Sequence, residues 1–179
     1  PEEYRTAIDA VSGRDQALVF AEAAAADLKK ETDILEEIGF DNIEAHEKVL
    51  NQKLVDGLLK MDNIIVYGDY EDLSDRVGVI TFNFSDANSS LVAEELSQHY
   101  GIATRRGAFC ANPYVWRLYG LTDEQVHNFA ECSDVNTPGM IRVSFGIYNT
   151  EEEVDEFLDA VAKATGICKT EITAFNPEA

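Results

Sequence analysis

The chain has 179 residues, 45% of them hydrophobic, enough to close one compact core with an appended segment. Asp and Glu number 34 against 14 Lys and Arg, giving a formal net charge of -20. Such a surface repels phosphate backbones and anionic lipid, which argues against nucleic-acid and membrane partners. No apolar run is long enough to span a bilayer and no apolar leader follows Pro1, so the expectation is a soluble, cytoplasmic protein.

Helices come first. Ser12 with Asp15 reads as an N-terminal cap, and the next stretch sets Leu18, Ala21, Ala25, Leu28, Leu35 and Ile38 near one face before Gly39 stops it. A helix of that length suits a connector, residues 1–40, leading to a domain over 41–168 and a tail over 169–179. Asp41 and Glu44 start a second helix with Ile43, Leu50, Leu54, Leu58 and Met61 as its apolar stripe. After Asn63 the period changes: "IIVYG" and "VGVITFNF" are β-branched and aromatic runs joined by the acidic "DYEDLSDR", a hairpin-like pair of strands. The helix "SLVAEELSQHYG" follows, closed by Gly101, and "IATRRG" reads as a strand. A short helix from about Tyr114 and another behind Thr122 and Gln125 lead to the strand "MIRVSFGIY". Thr150 and Glu153 form a capping box for the last helix. The order α, α, β, β, α, β, α, α, β, α predicts an α/β sandwich, with helices on one face of a mixed or antiparallel sheet.

Chemistry is concentrated in one place. The phosphate-loop, dinucleotide, zinc-protease and serine-hydrolase motifs are missing, and the acidic loop from Asp69 to Asp75 lacks the central glycine of a calcium loop. His46, His99 and His127 are scattered and read as surface or packing residues. Cys110, Cys132 and Cys168 form no CxxC pair and are odd in number, which argues against a disulfide framework or a thiolate zinc site. The acids, however, are unevenly spread: none occurs from Leu96 to Thr122 or from Val135 to Thr150. Those windows hold Arg105, Arg106, Arg117 and Arg142, four of the seven arginines, a local basin of positive potential that suits a small anion. Cys110 follows Arg105 and Arg106 in a glycine-containing loop, and cations near a thiol favour its thiolate; the alternative is an inert packing residue. Arg142, in an alternating strand, is suited to a carboxylate by its planar fork; the alternative is a salt bridge to a local acid.

The ordered set R-x-G-x-x-C-A-x-P in "YGIATRRGAFCANPY", followed by R-x-S-F-x-x-Y-N-T-x-E-E in "IRVSFGIYNTEEEVDEFLDAV", resembles the C-terminal domain of class V aminotransferases. Within that family it is most similar to the cysteine desulfurase and selenocysteine lyase group, over about residues 20 to 163. The resemblance implies the small domain of a two-domain, fold-type I pyridoxal-phosphate enzyme that works as a homodimer. It implies a cofactor held by a large-domain lysine. Lys29, Lys30, Lys48, Lys53, Lys60, Lys163 and Lys169 do not stand in that lysine's context, so the chain alone is expected to be inactive. By the same resemblance Cys110 attacks the sulfur of a bound cysteine or selenocysteine, leaving a persulfide and releasing alanine. Arg142 holds the substrate carboxylate, Arg105 approaches the same pocket, and Gly107 lets the loop swing toward a sulfur-acceptor protein. Ala108 and Phe109 stand where desulfurases often carry histidine, and "LTDEQVHNFAECSDVNTPG", at about 121–139, reads as an insertion. Another class V reaction that bypasses the thiol, and a non-catalytic interaction module, are the competing readings.

Overall fold

The structure, a computed structural model, describes residues 13–74, 76–131 and 139–168, and side chains over 22–74, 76–127 and 139–168. The Ser12 cap, Cys132, the second part of the 121–139 insertion and the 169–179 tail lie outside these residues. The elements are α1 (Gly13–Ile38), α2 (Phe40–Leu58), β1 (Ile64–Tyr67), β2 (Val79–Phe84), α3 (Ser89–Tyr100), β3 (Arg105–Gly107), α4 (Asn112–Leu118), α5 (Asp123–Glu131), β4 (Met140–Ser144) and α6 (Glu151–Ile167). Their order is the one expected from the sequence. No described helix is long and apolar enough to cross a membrane.

Two compact units part between Glu44 and Ala45, within α2. In the first, α1 ends at Gly39, whose φ of +86° is the left-handed conformation that glycine adopts without a Cβ penalty. Its N–H donates to Leu35 O at 2.9 Å, closing the last turn. Leu28 and Ile34 of α1 are exposed.

The second unit is built on a four-stranded antiparallel sheet of order β1-β2-β4-β3. Alternation along β2 turns Ile80, Phe82 and Phe84 to one face, where they join Val66 of β1 and Ile141 of β4 in the main core. Helices α2, α3 and α6 close that core with Leu50, Leu54, Leu58, Val92, Leu96, Val154, Phe157 and Val161. Phe82 meets Phe84 and Phe157 edge to face, at centroid distances of 5.6 and 6.3 Å. Each such side chain contributes about 1.5–3 kcal/mol by leaving water. A Cβ at Gly57 would lie 2.2 Å from Leu158 Cδ1, so the Leu158 side chain packs directly on the glycine backbone.

Local signals place the helix ends. The Thr150 and Glu153 box forms fully: Thr150 Oγ1 accepts from the Glu153 N–H at 3.3 Å, and Glu153 Oε2 accepts from the Thr150 N–H at 2.9 Å. Thr122 and Gln125 make the same exchange ahead of α5. Two expectations shift. Strand β3 is shorter than "IATRRG", because the Ile102 N–H is committed to Leu96 O in closing the end of α3 after Gly101. Helix α4 begins at Asn112 rather than about Tyr114, with Pro113 in its first turn, where the missing N–H costs nothing.

Candidate functional site

The sheet face turned away from the core carries the basic residues. Register aligns Tyr67 with Thr81, Thr81 with Arg142 and Arg142 with Arg105, one row across all four strands. Neighbouring strands sit about 4.8 Å apart, and directly opposed side chains share a face, so Arg105 and Arg142 stand side by side. Like charges so placed repel each other unless an anion lies between them. Neither arginine makes an ion pair with a described residue. The local-acid alternative for Arg142 therefore has no counterpart among those residues, as the acid-free windows on both strands make understandable. Arg142 Nε is buried without a hydrogen-bond partner among the described residues, and its Cζ lies 5.4 Å from the centre of the Phe109 ring.

Phe109 belongs to the thiol loop. Gly107 ends β3 with φ +101°, and two residues later Phe109 and Cys110 take φ +55° and +63°. The Ala111 N–H donates to Ala108 O at 2.8 Å, closing a turn whose two central residues are both left-handed, the type I′ geometry usually given to Asn and Gly. Holding two side-chain-bearing residues there costs on the order of 1–3 kcal/mol each. Cys110 rides exposed on this strained turn. Register thus joins Arg105 to Arg142, the Phe109 ring joins the turn to Arg142, and Gly107 stands where strand becomes turn. Cys168 is set apart, packed against the core, with burial and the neighbouring Glu95 pushing its thiol up. His46 Nε2 bonds Asn149 O at 2.8 Å and His99 pairs with Glu95 at 2.9 Å.

Several residues of this face escaped the sequence reading. Asn83 Nδ2 donates to the Tyr119 hydroxyl, which donates to Gly139 O at 2.6 Å. Ser89 Oγ donates to the same carbonyl at 2.5 Å. Burial pushes the phenols of Tyr67 and Tyr119 up, so both stay protonated donors near neutral pH. The Tyr67 hydroxyl lies within reach of the Asn83 amide, and Trp116 Nε1, like Arg142 Nε, is buried with no hydrogen-bond partner among the described residues. Alternation in "IIVY" was the one available signal for Tyr67, since it must face away from buried Val66. A cavity of about 410 Å³ lies elsewhere, between Tyr100, Phe145, Tyr148 and Phe157, and includes none of Cys110, Arg105 and Arg142.

Lys29, Lys30, Lys53, Lys60 and Lys163 do not fit the covalent anchoring of pyridoxal phosphate. A Schiff-base lysine is activated by a lowered pKa. Lys53 instead pairs with Asp155 at 2.8 Å and Glu151 at 3.6 Å, and the Asp155 hydrogen bond raises it. Lys29, Lys30, Lys60 and Lys163 are exposed on helices or helix ends.

These features describe an α/β domain with a guanidinium-bearing sheet face and a thiol presented on a strained turn at its edge. The chain belongs to the aminotransferase class-V family, whose model matches residues 21–157. It is similar to a cysteine desulfurase of Haloferax volcanii, 33% identical over 74% of this chain and 26% of the relative. A "Probable cysteine desulfurase" of Halalkalibacterium halodurans is 35% identical over 79% of this chain and 29% of the relative. The fold is similar to that of the cysteine desulfurase CsdA (S-sulfonic acid) of Escherichia coli, with a TM-score of 0.58, 24% identity, and coverage of 76% of this chain and 28% of that one. The chain thus spans between a quarter and a third of the length of the proteins it matches.

Proposed function

We propose that this chain is the small domain of a pyridoxal-phosphate cysteine desulfurase, with residues 1–40 connecting it to a large domain that carries the cofactor lysine and residues 169–179 forming a tail. The observation that carries the reading is the pair of opposed, unpaired guanidinium groups of Arg105 and Arg142 with the Cys110 turn stacked on one of them through Phe109. An amino-acid carboxylate between those groups relieves their repulsion and fixes the substrate by one end. Cys110 Sγ then forms a bond to the substrate sulfur while the substrate's carbon–sulfur bond breaks. The carbon keeps the electron pair and takes a proton, giving L-alanine and a Cys110 persulfide. Gly107 gives the loop the backbone freedom to carry that sulfur to an acceptor protein. Cofactor chemistry is assigned to residues outside those described. The working enzyme is a cytoplasmic homodimer, and L-selenocysteine is the second substrate its chemistry admits.

The test uses the full-length protein loaded with cofactor, given L-cysteine and a reductant. Wild type is expected to release sulfide and alanine together, and Cys110→Ser to bind L-cysteine while releasing neither. Equal sulfide release by both proteins removes Cys110 from the role. No sulfide from either, with another amino acid changing the cofactor's absorption, assigns the domain to a different class V reaction.

A further inference from the structure

We propose that Gly139, pinned by Tyr119 and Ser89, is a positioning residue that sets the Cys110 turn against the two guanidinium groups. The proposal deepens the desulfurase reading and rests on it. The Gly139 carbonyl accepts a hydrogen bond from each hydroxyl, Ser89 Oγ at 2.5 Å and Tyr119 OH at 2.6 Å, so both of its lone-pair directions are used. The two donors come from separate parts of the core unit. Ser89 opens α3 and is itself buried; Tyr119 caps α4 and receives the Asn83 amide of β2. Gly139 is therefore fixed from two directions.

Against it lies Gly107. A Cβ built on Gly139 would lie 2.8 Å from Gly107 Cα and 3.2 Å from Gly107 C, backbone atoms that cannot turn aside as a side chain can. Gly107 sits at the last ladder position of β3, paired with Met140, and the turn that presents Cys110 starts immediately after it. The bond from the Ala111 N–H to Ala108 O makes the turn a short closed unit, so a shift at Gly107 carries through to Sγ. Phe109, the residue before the thiol, must meet Arg142 for the stack at 5.4 Å to form. Sulfur hand-over needs the attacking atom within about 3–3.5 Å of its target, a tolerance that a loosely held loop exceeds. The Gly107 and Gly139 contact thus sets how far the thiol stands from the carboxylate anchor.

The experiment needs no cofactor. In the 179-residue chain, rate constants for alkylation of Cys110 by anionic iodoacetate and neutral iodoacetamide are measured by peptide mass spectrometry, and their ratio is normalised to that of Cys168. Guanidinium groups near Sγ should raise the normalised ratio roughly fivefold at low salt, and the rise should fade with added salt. In Gly139→Ala the ratio should fall to that of Cys168, while Cys168's own constants stay put. Tyr119→Phe and Ser89→Ala, which add no bulk, should each lower the ratio about twofold, by loss of one hydrogen bond. An unchanged ratio in folded Gly139→Ala overturns the proposal. Should that variant fail to fold, an unchanged ratio in both Tyr119→Phe and Ser89→Ala does so. A wild-type ratio no higher than that of Cys168 also overturns it. Falling ratios in the variants, together with undiminished sulfide release by full-length Cys110→Ser, would keep the positioning role and remove the desulfurase reading instead.

Discussion

The sheet of the second unit meets opposite demands on its two faces. On one, Ile80, Phe82 and Ile141 are covered by the chain's own helices, and neighbouring aromatic rings meet edge to face. On the other, Tyr67, Thr81, Arg142 and Arg105 form a polar row, and the buried Arg142 Nε has no hydrogen-bond partner among the described residues. Met140 and Val115 are buried but stand outside the main core, so this second face is part covered rather than bare. The same four strands thus serve cohesion on one side and, in the function proposed above, recognition on the other. Period-two alternation lets both coexist, since a change on one face leaves the neighbouring residue's face intact.

The largest effect expected is on the cohesive face. Phe82→Ala removes a fully buried ring that two other aromatics touch, and should cost about 3–5 kcal/mol in urea unfolding. A loss below about 1 kcal/mol would show that this face does not carry the fold. The polar face should respond the other way. Arg142→Ala removes one of two opposed like charges, so the stability of the chain should change by no more than about 1 kcal/mol. In the full-length, cofactor-loaded protein the same change should raise the apparent constant for L-cysteine roughly ten- to a hundredfold, the loss of about 1.4–2.8 kcal/mol of charge-assisted binding. A strongly destabilised variant with an unchanged substrate constant would erase the distinction between the faces.

Much of this division was open to the sequence, and the reasons differ by residue. Element order followed from short-range chemistry: Thr150 with Glu153, Thr122 with Gln125 and Gly101 act within a turn of where they stand, and each took its expected place. The family resemblance rested on equally local motifs around Cys110 and Arg142, and the class-V match supports it. Strand order was different. That Arg105 lies opposite Arg142 depends on β4 inserting between β2 and β3, a long-range pairing with no local signature. The turn at Phe109 and Cys110 was hidden because neither residue type favours left-handed backbone, so composition argued against what tertiary structure imposes. Ser89, Tyr119 and Gly139 converge from three segments, and nothing in any one of them announces the others.

The smallest effect expected lies where α6, which closes the cohesive face, begins. Thr150→Ala removes a side-chain acceptor at the N-cap and should cost about 1 kcal/mol. Its partner Glu153 adds a pH dependence of known sign. The Asn149 side chain and then the Thr150 N–H donate to its carboxylate and hold its pKa below the ordinary 4.5. A depressed acid stabilises the fold above its unfolded pKa and stops doing so as pH falls through the folded one. The stability gap between wild type and Glu153→Ala should therefore be full at neutral pH and close as pH drops below 4.5. The gap for Thr150→Ala should persist there, because the hydroxyl that accepts from the Glu153 N–H does not titrate. Parallel closure of both gaps would mean that the two caps act as a single ionic device rather than as separate hydrogen bonds. Neither change should alter the alkylation ratio at Cys110, because the capping box acts on the helix behind the core while the thiol is set from the opposite face.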